Sequence, residues 1–423
     1  MGARLLVHNI GLLATPVGSA ARKGAEQGEI AARRGCHVVV EGGVITEIGD
    51  DPPGIAGKFA VGERLDAAGR LVTPGLIDCH THAVFGGWRH GELALKLAGA
   101  SYLDVLAAGG GILSTVARTR EASFGELFEK TRRVLDECLS HGVTTIEAKS
   151  GYGLDAESEI KCLEVLKKLD EEHPADVAPT FMGAHAIPEE SRDDRGAFVA
   201  LVADRMLPLV AERGLAGFCD VFCEKGAFTL EESRLILSRA KSLGMGLRIH
   251  ADEINNLGGS LLAAELGCAT AEHLIRIDGA GIRAMSEAGV VAVCLPCTSL
   301  YLNEGFAPAR EMIAAGVPVA VATDFNPGSS PSMNLQLAMS MACCKYKMTP
   351  AEILTATTLN AAAAVGRAAL VGSLEVGKQA DMAVWDAEDL DYIFYRFGSN
   401  LASAVVKRGA VASRGGRITE AKA

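Results

Sequence analysis

The chain has 423 residues, of which 49% are apolar and 22% charged, a balance typical of a globular protein and not of a disordered or membrane-embedded one. Its formal net charge is −11 and it has no basic block or stripe, which argues against a nucleic-acid-binding surface. No apolar run reaches the roughly 18 residues that span a bilayer, and no secretory signal is visible. The 11 cysteines are irregularly spaced, as reduced thiols are. We therefore expect a cytoplasmic protein without nucleic-acid or membrane partners.

Short alternating strands separated by glycine-rich turns are predicted at both ends of the chain. Residues 1–70 contain "RLLVHNIGLLAT" and "HVVVEGGVITEIGD", and residues 371–423 contain "GSLEVGKQADMAVWD" and "SAVVKRGAVASRGGRI". Such alternation indicates small antiparallel strands. We predict one small β-sandwich domain formed by the N- and C-terminal segments.

Residues 71–370 show a different rhythm, in which apolar β-rich runs alternate with amphipathic helical stretches. The runs are 75–82, 142–153, 177–185, 217–224, 246–253, 269–277, 290–297 and 317–325. Eight such units predict an α/β fold with a parallel sheet closed into a (β/α)8 TIM-type barrel. A doubly wound open sheet is the alternative, but no G-x-G-x-x-G follows the first run. A last helix is predicted in "TPAEILTATTLNAAAAVG", with Thr349 as N-cap and Glu352 completing a capping box.

Polar side chains end most of these runs, at the barrel face where active sites lie. They are His80, His82, Glu147, Lys149, Tyr152, His185, Glu224, His250, Asp252, Glu253, Glu272, His273 and Asp324. The two histidines of "LIDCHTH" are two residues apart on an extended segment, so both side chains point to one face. Polar core histidines are the alternative interpretation of this pair.

Three imidazoles and one carboxylate, from His80, His82, His250 and Asp324, suit a transition metal such as Zn²⁺ or Fe²⁺ better than Mg²⁺ or Ca²⁺. Asp324 ends the apolar run "VAVATD" and is also a candidate to hold and pass a proton, although a turn cap remains an alternative role. The following "NPGSS" offers backbone N–H groups for an anion nest. Cys294 and Cys297 form an isolated C-x-x-C, which we interpret as buried thiols.

These motifs resemble those of the amidohydrolase superfamily. The resemblance rests on "PGLIDCHTH", the histidines of the fifth and sixth strands and the aspartate of the eighth. The likeness covers nearly the whole chain. It implies a metal-dependent (β/α)8 barrel with a β-sandwich from both termini. Lys149 ends the second strand and not the fourth, where binuclear relatives carry a carbamylated lysine, so we expect one metal, Zn²⁺ or Fe²⁺/Fe³⁺, per chain.

Within that superfamily the chain is most similar to the imidazolonepropionase family of histidine degradation. The similarity rests on "HTHAVFGGWRHGELALKLAGASY", "GGGILSTV", "KSGYGLD", "GAHAIP", "DVFCE", "HADEINNLGG", "AEHL" and "ATDFNPGSSP". It implies hydrolysis of the cyclic amide of 4-imidazolone-5-propanoate to N-formimidoyl-L-glutamate. Cys297, where we expect glycine, and Asn256 depart from the family pattern.

The resemblance also implies roles for single residues. His80, His82, His250 and Asp324 would bind the metal, and Asp324, Glu253 and His273 would be catalytic. The substrate contacts would be Arg89, Tyr102, Tyr152, His185, Glu253, Asn326, Gly328 and Ser329. Arg89 suits the propionate carboxylate, because guanidinium and carboxylate pair through two hydrogen bonds, although a solvated surface arginine is the alternative. A homodimer is expected.

Two alternatives to this function stay open. Another mononuclear amidohydrolase, such as a guanine-type or aminoimidazole-type deaminase, would share the metal ligands but would not need Arg89 and Tyr152 for a propionate. A non-catalytic barrel scaffold belongs to a different class of protein, and the presence of all four candidate ligands argues against it.

Overall fold

The computed structural model describes residues 4–58, 62–99 and 110–419. Strands alternate with helices through the middle of the chain, and strands dominate both ends. The strands are β1 (Arg4–Thr15), β2 (Ala31–Glu41), β3 (Val44–Asp50), β4 (Glu63–Asp66), β5 (Leu71–Pro74), β6 (Leu76–Asp78), β7 (Val143–Lys149), β8 (Asp176–Ala184), β9 (Phe218–Cys223), β10 (Gly246–Ala251), β11 (Thr270–His273), β12 (Val291–Cys294), β13 (Val319–Val321), β14 (Met382–Trp385), β15 (Ala402–Lys407), β16 (Ala410–Arg414) and β17 (Arg417–Ile418).

The helices pack mainly around the middle strands. They are α1 (Ile55–Lys58), α2 (Leu93–Leu97), α3 (Ile112–Glu121), α4 (Phe124–Ser140), α5 (Ala156–Glu172), α6 (Arg195–Leu201), α7 (Leu207–Glu212), α8 (Leu230–Ser242), α9 (Gly259–Leu266), α10 (Gly279–Ala288), α11 (Pro296–Leu302), α12 (Ala309–Ala314), α13 (Leu335–Tyr346), α14 (Pro350–Ala356), α15 (Leu359–Ala364) and α16 (Leu390–Tyr395). None of the helices in the described ranges combines the length and apolarity that crossing a membrane requires.

Strands β6 to β13 form the barrel. Within the described residues they follow one another in chain order, and each is parallel to the next. The ring closes between its first and last strands, where Thr81 bridges Phe325 and the N–H of His82 donates to the carbonyl of Phe325 at 2.8 Å. Seven of the eight apolar runs contain one of these strands, and β8 begins one residue before its run. The predicted (β/α)8 barrel is therefore confirmed.

Local capping explains where several helices begin. Ser123, Thr229 and Thr349 each accept the backbone N–H of a glutamate three residues later, and that glutamate binds the N-cap backbone in return. The predicted capping box at Thr349 is thus confirmed.

The prediction of one continuous helix over residues 349–366 was wrong, because the segment forms α14 and α15. Thr357 and Thr358 separate them, and Thr358 has φ −130° and ψ −87°. The hydroxyl of Thr357 donates to the carbonyl of Ile353 at 2.9 Å, and that of Thr358 donates to Leu354. Hydroxyls that bind the preceding turn compete with helical hydrogen bonds, which explains the break.

The two chain ends meet in one nine-stranded sheet, in the order β17-β16-β15-β14-β5-β1-β2-β3, with β4 paired to β1. The N- and C-terminal pieces join where β5 and β14 pair antiparallel. Successive residues of β14 face opposite sides: Met382 and Val384 enter the core of this β domain, whereas Ala383 and Trp385 pack with the barrel. The prediction of a β domain built from both termini is confirmed. Its bounds at 70 and 371 remain a proposal, since Leu71–Pro74 also lies in the sheet.

A buried ion cluster joins the barrel to the β domain. Asp176, at the start of β8, lies 2.7 Å from the ammonium of Lys407 and 3.2 Å from the guanidinium of Arg367, and it also pairs with Arg408. Lys407 in turn contacts Asp381 at 2.6 Å. Burial raises the pKa of Asp176, but these cations outweigh that effect and hold its pKa below the ordinary value.

Replacing Asp176 with asparagine should lower the free energy of unfolding by about 3 kcal/mol at neutral pH, because the buried ammonium of Lys407 loses an anionic partner. Since the pKa is lowered in the folded chain, this stabilisation is present above the unfolded pKa of about 3.9 and is lost only as the pH falls through the folded pKa. The difference between wild type and variant should therefore stay constant from about pH 5 to about pH 8 and shrink below about pH 4. Urea denaturation across this range measures it.

Asp50→Asn is a matched control, because Asp50 pairs with Arg33 at the surface and its side chain is 90% exposed. We expect no measurable change in its urea midpoint. If the Asp176→Asn difference already shrank between about pH 5 and about pH 8, a group other than this carboxylate would be responsible.

Candidate metal centre and active site

The carboxyl ends of the barrel strands surround one cavity of about 660 Å³. Its walls are formed by His82, Arg89, Ile112, Tyr152, His185, Phe222, His250, Glu253, Ile254, His273, Leu302, Glu304, Asp324, Asn326, Gly328 and Ser329. Among the described residues, every substrate contact predicted from the sequence therefore lies around this cavity. Tyr102 lies outside the described residues. His80 is fully buried against the cavity wall, with its ring 4.6 Å from that of His250.

The structure brings the four predicted metal ligands together. Oδ1 of Asp324 lies 3.3 Å from Nε2 of His80 and 3.4 Å from Nε2 of His82. Nε2 of His82 lies 3.4 Å from Nε2 of His250. His273 joins the same cluster, since ligand atoms of His80, His250 and His273 all lie within 4.8 Å of one another. The ring nitrogens and one carboxylate oxygen thus converge on one point of the barrel mouth.

The residues at this point fit a metal ion. Both ring nitrogens of His80, Nδ1 of His82 and Oδ1 of Asp324 are buried and form no hydrogen bond with any described residue. Leaving buried polar atoms unsatisfied costs about 1–3 kcal/mol each, so such a group indicates a ligand other than protein. Imidazole and carboxylate donors match the preference of Zn²⁺ and Fe²⁺.

Two residues of this cluster have strained backbones. His273 has φ 68° and Asp324 has φ 54°, in the left-handed region that residues other than glycine rarely occupy. Neighbouring contacts hold the second of them, since the N–H of Asp324 donates to the carbonyl of His80 at 3.1 Å and the amide of Asn326 donates to the carbonyl of Asp324 at 2.7 Å. Such strain costs about 1–3 kcal/mol and is concentrated at functional sites.

Two carboxyl groups of the cavity, those of Asp324 and Glu253, have opposite protonation tendencies. Burial raises the pKa of Asp324, but the two histidine rings beside it outweigh that effect and hold its pKa well below the ordinary value. Burial, and then the charge of Asp324, raises the pKa of Glu253 to about 8. Burial lowers the pKa of His273 to about 3, and its Nδ1 lies 3.6 Å from Oε1 of Glu253. The cavity thus pairs an ionised proton acceptor with a protonated carboxyl.

Thr298 is a contact of Asp324 that sequence reasoning missed. It lies in α11, and its hydroxyl donates to Oδ2 of Asp324. Oδ1 is thereby left to face the histidines. The departure at Cys297 falls on the neighbouring residue, which is buried in the same helix. The segment after the seventh barrel strand therefore orients the carboxylate.

Asp220 orients His250 and was also missed. Its Oδ1 lies 3.1 Å from Nδ1 of His250, and a carboxylate at this distance fixes Nδ1 as the protonated nitrogen and leaves Nε2 for the cavity. Burial lowers the pKa of His250, but Asp220 outweighs that effect and raises it. The sequence signal was an acidic residue inside the apolar strand "FCDVFC".

Beneath the cluster the barrel interior is charged, whereas such interiors usually contain branched apolar residues. Lys149 lies 2.9 Å from both Glu147 and Asp220, and Arg248 lies 3.1 Å from Glu272. All five side chains are fully buried. The three carboxyl groups outnumber the two cations, which favours a cation above them.

Arg89 reaches the cavity on the loop after the first barrel strand. Its guanidinium donates to both carboxylate oxygens of Glu92, at 2.9 and 3.0 Å, and Glu92 also accepts the N–H of Gly111 at 2.7 Å. A Cβ at Gly328 would come within 2.3 Å of one guanidinium nitrogen, so only glycine allows this approach. Glu92 is a third partner that sequence reasoning missed.

The turn after the eighth barrel strand, "NPGSS", does not have the free N–H groups that were predicted for it. The N–H groups of Gly328 and Ser329 donate to Oδ1 of Asn326 at 2.8 and 2.7 Å. The prediction of an anion nest was wrong in this respect, because an asparagine side chain that closes an Asx turn already binds both N–H groups.

Known proteins are similar to this chain in sequence and in fold. The model of the amidohydrolase family matches residues 71–412. An imidazolonepropionase of Alkaliphilus metalliredigens is 49% identical over 98% of this chain and 99% of its own. One of Streptococcus pyogenes serotype M3 is 50% identical over 90% of this chain and 91% of its own.

The chain belongs to the imidazolonepropionase group of the amidohydrolase family. A solved structure of an adenosine deaminase from Xanthomonas campestris with bound zinc superimposes with a TM-score of 0.71 at 20% identity, covering 99% of this chain and 94% of that one. At this identity the match supports the amidohydrolase fold alone.

Proposed function

We propose that this chain hydrolyses the cyclic amide of 4-imidazolone-5-propanoate to N-formimidoyl-L-glutamate in histidine degradation. The observation that carries the proposal is the identity of about half of all residues, over at least nine-tenths of the chain, with curated imidazolonepropionases. The arrangement of Arg89, His185 and His273 around the cavity supports it, since a ring and a carboxylate must be held together there.

We propose that His80, His82, His250 and Asp324 hold one zinc or iron ion. When bound, such an ion would supply Lewis acidity, which lowers the pKa of water enough for it to lose a proton at neutral pH. The carboxylate of Asp324, which stays ionised because its pKa is held low, accepts a proton from the attacking water in this proposal. Glu253, protonated below about pH 8, provides a proton for the leaving nitrogen. His273 holds the carbonyl that is attacked.

The remaining cavity residues bind the substrate in this proposal. Arg89 pairs with the propionate carboxylate, and Tyr152 and His185 contact the ring. Asn326, Gly328 and Ser329 form the opposite wall, and Glu253 contacts the ring nitrogen. Tyr102 is a further proposed contact. From the family we also propose a homodimer, which sedimentation of the purified protein tests, and a cytoplasmic location.

The purified protein should hydrolyse 4-imidazolone-5-propanoate and contain about one metal ion per chain. Arg89→Ala should lower kcat/KM by about 10²-fold, mainly through KM, because a buried carboxylate loses its charged partner. Steady-state kinetics and metal analysis of the same samples measure both effects.

Arg213→Ala is the matched control, because Arg213 pairs with Glu164 on the outer helices and does not line the cavity. It should leave kcat/KM unchanged. A substrate analogue whose carboxylate is an amide should be hydrolysed equally by wild type and Arg89→Ala. Metal without turnover of the imidazolone would reject the proposed substrate and favour a deaminase.

A further inference from the structure

Glu159 is a fully buried carboxylate that the reaction does not use. It lies in the first turn of α5, outside the cavity wall. Its oxygens accept the backbone N–H groups of three residues of the preceding loop: Gly151 at 2.9 Å, Gly153 at 2.7 Å and Leu154 at 2.9 Å. Burial raises the pKa of Glu159, and these donors together with Ser150 oppose the rise. One side chain thus binds three of the five backbone N–H groups of the loop "SGYGL".

The loop can approach this carboxylate only because it contains two glycines. Gly151 has φ +113°, and a Cβ there would lie 2.9 Å from the carbonyl of Met182 and 3.0 Å from Nδ1 of His185. A Cβ at Gly153 would lie 2.6 Å from the backbone nitrogen of Glu159. Leu154 has φ 54°, a conformation that needs external support. The glycines and the carboxylate therefore act together to fix one loop conformation.

The same loop controls two residues of the cavity. Tyr152 lies between the glycines, and its ring centroid is 5.2 Å from that of His185. The carbonyl of Gly151 lies 2.9 Å from Nδ1 of His185. Because a carbonyl only accepts, Nδ1 carries the proton, and Nε2 of His185 is left as an acceptor for the cavity.

Arg120 holds the loop from the other side. Its guanidinium donates to the carbonyl of Gly153 at 2.7 Å and to that of Leu154 at 3.3 Å. Glu159 therefore accepts from N–H groups of the loop, and Arg120 donates to its carbonyl groups. Arg120 is partly exposed, with 29% of its side chain accessible, whereas Glu159 is inside the protein.

We propose that Glu159 is a positioning residue that sets the tautomer of His185 and the ring position of Tyr152 through the backbone of residues 150–154. This inference rests on the proposed function for its effect on turnover, but the loop contact itself does not depend on the substrate. Glu159→Gln should break the hydrogen bond to Gly151 selectively. The amide NH₂ and the N–H of Gly151 are both donors, while the remaining oxygen still accepts from Gly153 and Leu154.

The test compares Glu159→Gln with wild type by amide hydrogen exchange, metal content and kinetics with 4-imidazolone-5-propanoate. Exchange should accelerate in the peptide containing residues 150–154 and nowhere else. The kcat/KM should fall by about 10- to 100-fold, mainly through KM, because the contacts of Tyr152 and His185 are misplaced. Metal content should stay at the wild-type value.

Glu352→Gln is the matched control. Glu352 is a buried carboxylate that accepts the N–H of Thr349 at 2.7 Å, and it does not line the cavity. It should change exchange only near its own helix and near its ion-pair partner Arg310, and it should leave KM unchanged. Glu159→Asp keeps the carboxylate but shortens the side chain, which withdraws the oxygens from the loop. It should give an intermediate effect on both exchange and KM. It replaces Glu159→Gln in the test if that variant does not fold.

Unchanged exchange in residues 150–154 would overturn the inference, and so would unchanged KM in an active enzyme. Parallel loss of metal would show a general structural role and overturn it as well. If the wild type fails to hydrolyse the imidazolone, the proposed function fails, and the exchange experiment still decides whether Glu159 fixes the loop.

Discussion

Replacing Asp324 with asparagine should lower kcat by about 10³-fold, the size of effect expected when a proton-transfer group is removed. The substitution preserves shape but removes both the charge and the ability to accept a proton. Oδ1 of Asp324 lies 3.3–3.4 Å from two histidine rings, so its charge is central to the cluster. Steady-state kinetics of metal-loaded samples measures the loss.

Thr298→Val separates charge from orientation in the same experiment. It removes the hydroxyl that donates to Oδ2 of Asp324 and leaves the carboxylate in place. We expect a loss of about 10- to 150-fold, because one hydrogen bond to a charged group contributes about 1.5–3 kcal/mol and the carboxylate keeps its charge. Equal losses in both variants would show that orientation, and not charge, limits the reaction.

Glu253→Gln decides which carboxyl group is the principal proton acceptor. Glu253 is largely protonated at neutral pH, so its amide analogue keeps the charge of the site and loses only the proton given to the leaving nitrogen. It should therefore lower kcat, but by less than Asp324→Asn does. Asp324→Asn losing less activity than Glu253→Gln would reverse the proposed roles.

The barrel could be predicted from the sequence because strands that are buried on both faces are locally apolar and recur at regular intervals. β12 illustrates this, since every residue from Val291 to Cys294 is both apolar and buried. The same regularity predicts that His80, His82, His250 and Asp324 share one face of the barrel. Parallel strands put their carboxyl ends at one rim, so position along the chain is enough to bring these side chains together.

The supporting contacts could not be predicted in this way, because they depend on pairing across the barrel. Asp220 and Lys149 are 71 positions apart in the numbering of the chain and meet only when β7 and β9 close around the interior. Glu159 looks like any glutamate near a helix start until the loop before it folds back. The break at Thr357 is different, because two adjacent threonines are a local signal that the sequence itself contains.

Replacing Lys149 with methionine should lower the free energy of unfolding by about 3–5 kcal/mol, because two buried carboxylates lose their cation. Burial and Arg248 lower the pKa of Lys149, but Glu147 and Asp220 outweigh them and keep it charged. Metal affinity should fall by at least about tenfold, since Asp220, which orients His250, loses its support. Urea denaturation of metal-free protein and competition with a chelator measure the two effects.

Lys168→Met is the matched control, because Lys168 pairs with Glu172 at 2.7 Å on an exposed helix face. We expect no measurable change in its urea midpoint. The double variant Lys149→Met/Glu147→Gln should regain part of the stability, because it removes one of the two stranded carboxylates. A loss below about 1 kcal/mol in Lys149→Met would contradict the assignment of buried charge.

The free energy of unfolding and the metal affinity of these variants together test why the barrel interior contains charged residues. Ion pairs buried in a protein are often no more stabilising than apolar residues of the same volume. Recovery of stability in the double variant without recovery of metal affinity would therefore mean that the network is retained for the cluster above it. In that case Lys149 holds Asp220, Asp220 holds His250, and the charge of the barrel interior serves the metal site.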